Sequence, residues 1–237
     1  MIDKDTLKVK NKRIRLVTKT LNAAIKLWLR TQLDKVSHIE TEIGASDRQL
    51  LSGCIPSISI SAKDAVYQGI HVTSIQLQAE NIQINIGGIL KGKPLRLLEV
   101  VPIVGELVVK EQDLNYSLTS KLLSQALNDL LLKFLPNEEL DCEAISWKKC
   151  NLENQNLTLT AILAPDSENT HLEMTAGLKL INTQEIQLSP IKIKHNQIVI
   201  FNNNDGYKID MGSDVAFQEI IISSQQLLCR GRVNVNP

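Results

Sequence analysis

The sequence predicts an α+β fold: a long, curved, mostly antiparallel β-sheet partly wrapped around an amphipathic helix, with another helix near the N-terminus. Three observations carry that expectation. Leu, Ile and Val make up 75 of the 237 residues while aromatics are only 3%, so the core is built almost wholly from branched aliphatic side chains. Over most of the chain apolar residues alternate with polar ones, as half-buried strands require. Only two stretches show the three- and four-residue steps of a helix.

The N-terminal 35 residues hold ten Lys/Arg against three acids, a local net of +7 in a chain whose formal charge is zero. Such asymmetry marks either an arm that meets an anionic surface or a solubilising leader. Residues 1–17 are read as a basic leader and 18–237 as one domain. Val17, Leu21, Ala24, Ile25, Trp28, Leu29, Leu33 and Val36 fall on one helical face, which predicts a helix over 18–36. Lys19, Lys26, Trp28 and Arg30 are its candidate membrane contacts, with Trp28 at headgroup depth and the cations toward anionic lipid. The pattern equally suits a helix packed on the domain with its lysines in water.

From Ser37 the period is two. Ile39, Thr41 and Ile43 precede a polar break at 44–47, and Ile58, Ile60 and Ala62 alternate with serines up to a turn at Tyr67-Gln68-Gly69. Along 70–86 the apolar set runs Ile70, Val72, then Ile75, Leu77, Ala79, then Ile82, Ile84, Ile86. Its phase slips twice, and a slip in a period of two predicts a bulge or bend at Thr73-Ser74 and at Glu80-Asn81. A Gly/Lys-rich connection and an apolar loop, with 98–104 as its groove-lining part, lead to a strand near 106–117. A second helix follows, with Thr119 as cap, a broad face including Leu123, Leu127 and Leu130, and Pro136 as its stop. Seven more strands, within 143–235, are separated by turn signals, in the even spacing of an antiparallel meander.

Catalytic chemistry finds little support. His38, His71, His171 and His195 are isolated, and no nucleophile elbow, zinc helix or dinucleotide fingerprint occurs. Gly87-Gly88-Ile89-Leu90-Lys91-Gly92-Lys93 keeps P-loop spacing until Pro94 stands where a magnesium-binding hydroxyl is needed. Cys54, Cys142, Cys150 and Cys229 lack metal spacing and read as reduced gap-fillers. The few, scattered aromatics do not suit base stacking, so no nucleic acid is expected, and neither a cofactor nor a metal. No apolar run approaches the roughly 18–20 residues of a bilayer span, and no export signal is recognised, which predicts a cytoplasmic or peripheral membrane protein. The excess of aliphatic surface instead suits an acyl chain held between sheet and helix. Candidate lipid-binding residues are Ile75, Leu77, Ile82, Ile84, Leu98, Val101, Ile103, Leu123, Leu127 and Leu130. The alternative is a scaffold with a filled core that recruits a partner through its basic helix.

Ser57 to Asn85, the run Gly92-Lys93-Pro94-Leu95-Arg96-Leu97-Leu98 continuing to Glu111-Gln112-Asp113-Leu114-Asn115, and the ending Cys229-Arg230-Gly231-Arg232-Val233-Asn234-Val235-Asn236-Pro237 resemble the LmeA-like phospholipid-binding family, in its cyanobacterial-type branch, formerly a domain of unknown function. The resemblance implies a curved sheet partly wrapped around helix, akin to tubular lipid-binding proteins, no enzymatic activity, and phospholipid as ligand. It also implies an exported or envelope-associated setting, from which this chain departs by showing no signal.

Overall fold

The computed structural model describes residues 21–135, 145–163 and 171–237. Strands form two antiparallel sheets rather than one. Sheet 1 has the order β1-β2-β3-β4-β12-β11, from β1 (His38–Gly44), β2 (Cys54–Tyr67), β3 (Ile70–Gln83), β4 (Val101–Lys110), β11 (Val215–Ser223) and β12 (Gln226–Val235). Sheet 2 has the order β5-β6-β7-β8, from β5 (Ile145–Glu153), β6 (Asn156–Leu163), β7 (His171–Leu180) and β8 (Glu185–His195). The outer edge of β8 is shared by β9 (Ile198–Asn203) and β10 (Tyr207–Asp210); the latter has no counterpart in the sequence expectation. Both sheets are meanders until the C-terminal hairpin returns to sheet 1, where β12 pairs with all of β4 from Gln226↔Lys110 to Val235↔Val101.

Two-residue hairpin turns of type I′ require positive φ at both central positions. Gln68 and Gly69 meet that at the β2–β3 turn, as do Asn154-Gln155 and Asn196-Gln197 in sheet 2. The two expected phase slips are real, but they are not bulges. Ala79 and Ile82, three apart, both enter one core, as do Ile55 and Ile58 on the partner strand. Because both strands invert at the same level, the β2–β3 register is unshifted from Cys54↔Gln83 to Tyr67↔Ile70 and merely lacks a pair opposite Asn81 and opposite Asp64, each with positive φ. A true bulge occurs in β5 between Trp147 and Lys149, and it lets Trp147 and Cys150 face the same core.

Among the described residues five helices accompany the sheets. In the described residues helix α1 covers 21–32 and stops short of the expected 36, because Asp34 and Lys35 leave it to pair with Val66 at the end of β2. Leu21 and Ile25 pack with Leu50, Ile55, Ile82, Ile84 and Val101 in the core of sheet 1. The expected break at 44–47 leads into a short helix, α2 (Asp47–Leu51), set by a capping box of Ser46 and Gln49. The glycine-rich connection contains one helical turn, α3 (Ile86–Ile89). The expected strand at 106–117 is corrected: β4 ends at Lys110, and α4 (Glu111–Ser117) follows with Glu111 and Asp113 in its first turn. The loop expected over 98–104 is corrected likewise, since β4 begins at Val101. Helix α5 (Lys121–Phe134) is the expected second helix. Its cap is Ser120 rather than Thr119, for the Ser120 side chain accepts the Leu123 N–H. Pro136, Cys142 and Lys19 lie outside the described residues.

Candidate functional site

The two sheets meet at α4, whose side chains divide by helical spacing. Glu111 and Asn115 turn to β5: the Glu111 carboxylate accepts the Leu152 N–H at 2.7 Å, and the Asn115 amide both accepts the Cys150 N–H and donates to the Cys150 carbonyl, each at 2.9 Å. Asp113 and Ser117 turn to β3: Asp113 accepts from the Thr73 hydroxyl, and Ser117 Oγ accepts the His71 N–H at 2.8 Å. The β11–β12 turn completes the junction, where the Gln225 N–H donates to the Leu152 carbonyl at 3.0 Å. The free edge of β5 is thus paired by side chains and a turn where another strand would otherwise lie.

Behind this junction, Leu127, Leu131 and Phe134 of α5 pack on Trp147, Leu159, Leu172, Met174 and Ile191 of sheet 2, in a core separate from that of sheet 1. Packing there is incomplete. A cavity of about 90 Å³ remains, walled by Leu114 and Leu118 around α4, Leu123 and Leu127 of α5, Cys150, Leu152, Leu157, Leu159 and Leu178 of sheet 2, and Ile222 and Leu227 from the β11–β12 hairpin. Its wall contains no polar side chain beyond the Cys150 thiol. Burial, with a smaller contribution from Glu111, pushes that thiol up to about 12, so Cys150 is an uncharged apolar group at neutral pH.

Two larger depressions, about 260 and 380 Å³, lie on sheet 1. Ser59 and Gln78 border both, with Ser61, Gln76, Glu106 and Arg230 around one and Glu42, Ser57 and Glu80 around the other. Hydrocarbon placed there would take polar side chains out of water without replacing their hydrogen bonds. Nor does Arg230 offer a spare charge for a phosphate: Glu106 at 2.7 Å and Glu219 at 2.6 Å already hold it, and their hydrogen bonds raise its proton affinity.

Seven of the ten expected lipid-binding residues divide between the two cores, and Leu77 borders the 260 Å³ depression instead. Leu123 and Leu127 line the apolar cavity and Leu130 packs beside it. Ile82, Ile84 and Val101 are buried in the sheet 1 core with Ile103 against them, Ile75 and Leu77 are half-buried in β3, and Leu98 is exposed. On α1, Lys26 and Trp28 are half-buried and Arg30 is exposed. The cavity wall contributed by Cys150, Leu152, Leu157, Leu159, Leu178, Ile222 and Leu227 was not anticipated. The alternation of these residues announces strands but not which helix the strands cover.

Among the described residues no group of His, Cys, Asp and Glu is arranged to hold a metal, and no helix is long and apolar enough to cross a membrane. Cys54, Cys150 and Cys229 are free thiols. In comparison with known proteins, a family described as LmeA-like phospholipid-binding matches residues 13–232. No curated protein and no solved structure matches.

Proposed function

The chain belongs to the LmeA-like phospholipid-binding family, and from that premise we propose that it is a non-enzymatic phospholipid carrier holding hydrocarbon between α5 and sheet 2. The observation that carries this location is the wholly apolar wall of the cavity under α4 and α5. Each methylene transferred there from water gains about 0.8 kcal/mol. The cavity, about 90 Å³, is below the roughly 300–1,000 Å³ of typical ligand sites, so a full acyl chain requires α5 to move away from the sheet. Dispersion contacts hold α5 there, together with the Trp147 indole N–H donating to Asn128 Oδ1 at 2.8 Å. With α5 displaced, Leu123, Leu127 and Leu130 face Leu152, Leu157, Leu159 and Leu178 across a groove in which the sheet partly wraps the helix. In this reading Ile82, Ile84, Val101 and Ile103 fill the core of sheet 1 and do not touch lipid. The protein collects lipid from an anionic bilayer by peripheral contact, to which Lys26 and Arg30 of α1 contribute charge.

Native mass spectrometry of the mildly purified full chain tests the reading, together with titration of a fluorescent phospholipid. Co-purifying phospholipid mass and saturable binding are expected. Leu123→Trp, which puts an indole into the cavity, should weaken binding at least tenfold with an unchanged unfolding midpoint. A clean apo mass with no saturable binding refutes the proposal and leaves the scaffold reading.

A further inference from the structure

We propose that the end of sheet 1 formed by α2, α3 and residues 90–100 is a docking tip that inserts into an anionic lipid bilayer. Two connecting segments, 45–53 and 84–100, lie side by side there. Ile84 donates its N–H to the Gly53 carbonyl at 2.9 Å and bridges Leu97, and the Leu98 N–H donates to Gln83 at 2.9 Å. Asn85 fastens the loop, donating from Nδ2 to the Pro94 carbonyl at 2.9 Å and accepting the Arg96 N–H at 2.8 Å. On this fixed backbone Leu51, Leu90, Leu98 and Val100 are each more than half exposed, at 57%, 55%, 57% and 51%. Single exposed aliphatics need no explanation, but four on adjacent segments do.

The charge around them selects the partner. Lys91, Lys93 and Arg96 are exposed, as is Arg48 of α2, and the acids of the two segments are Asp47 and Glu99. Leu21 of α1 shares the core at this end with Leu50, Ile84 and Ile89. Protein interfaces concentrate aromatic residues in a contiguous core, whereas segments 46–53 and 84–100 contain none. Separate aliphatic side chains among cations instead match a bilayer surface, with hydrocarbon beneath and anionic phosphates above.

The choice of partner rests on the phospholipid reading, but docking and cavity binding fail separately. The test is sedimentation of the full chain with vesicles of phosphatidylcholine alone and of phosphatidylcholine with one quarter phosphatidylglycerol. Binding only to the anionic vesicles is expected. At about fivefold per cation lost, K91E with K93E should weaken it at least 25-fold. Leu90→Ser with Leu98→Ser should weaken it at least tenfold with an unchanged unfolding midpoint, and Leu98→Trp should show blue-shifted emission on anionic vesicles alone. The proposal is overturned if the wild type ignores anionic vesicles, or if the tip variants bind as it does while K26E with R30E does not. Leu123→Trp that has lost lipid yet still sediments leaves docking standing by itself.

Discussion

Replacing Asn115 by Ala removes both hydrogen bonds that pair the buried backbone of Cys150, and it does so at the edge of a sheet where no other strand can substitute. Cys150 is 1% exposed, so neither its N–H nor its carbonyl regains water unless the junction opens. An unsatisfied buried backbone group costs about 1–3 kcal/mol, which puts the loss for two at about 2–6 kcal/mol. This is a large share of the ~5–15 kcal/mol by which domains are stable. Urea unfolding of wild type and variant gives the difference, provided that the slope m is unchanged. Gln112→Ala, on the exposed side of the same helix, serves as the control and should stay within about 0.5 kcal/mol of wild type. Amide exchange supplies a local readout, since the Cys150 N–H should lose protection ahead of its neighbours in β5. A loss below about 1 kcal/mol, with Cys150 still protected, would refute the claim that α4 stands in for a strand on this edge.

Two further outcomes follow from the same region. The Cys150 thiol ionises near 9 in the unfolded chain but only at about 12 when folded, so above pH 9 the unfolded state releases its proton first and stability falls as pH rises. Relative to Cys150→Ala, the wild type should lose up to about 1.4 kcal/mol per pH unit between 9 and 11; parallel stability curves would contradict the burial of the thiol. In a Trp28→Phe background, Trp147 is the remaining tryptophan and its indole is bonded to α5. Phospholipid should therefore shift Trp147 emission as α5 moves, and a spectrum unchanged at saturating lipid would place the ligand elsewhere.

Where local pattern decides the outcome, the sequence already contains it. The phase slips at Thr73 and Asn81 were legible because side-chain alternation reports directly which way each residue points. The step of α5 was legible for the same reason, since Leu123, Leu127 and Leu130 recur at helical spacing. Segment 111–117 was misread because its residues alternate passably, with Leu114 and Tyr116 among polar neighbours. Its helicity is secured by partners about 35 to 46 residues away in sequence, at Cys150, Leu152, Thr73 and His71. Nor could spacing separate the ten candidate lipid-binding residues into two cores and the three, Ile75, Leu77 and Leu98, that join neither, since every one of them is an aliphatic side chain in a plausible position.

By itself the sequence determined the class of this protein, its aliphatic interior, its basic N-terminal end and its kinship, because composition and periodicity are properties of each segment alone. Only the tertiary structure decided that the strands form two sheets, that α4 joins them by side-chain pairing, and that the apolar space lies under α5. These depend on which strand edges meet, and edge pairing is made by backbone groups that every residue except proline carries alike.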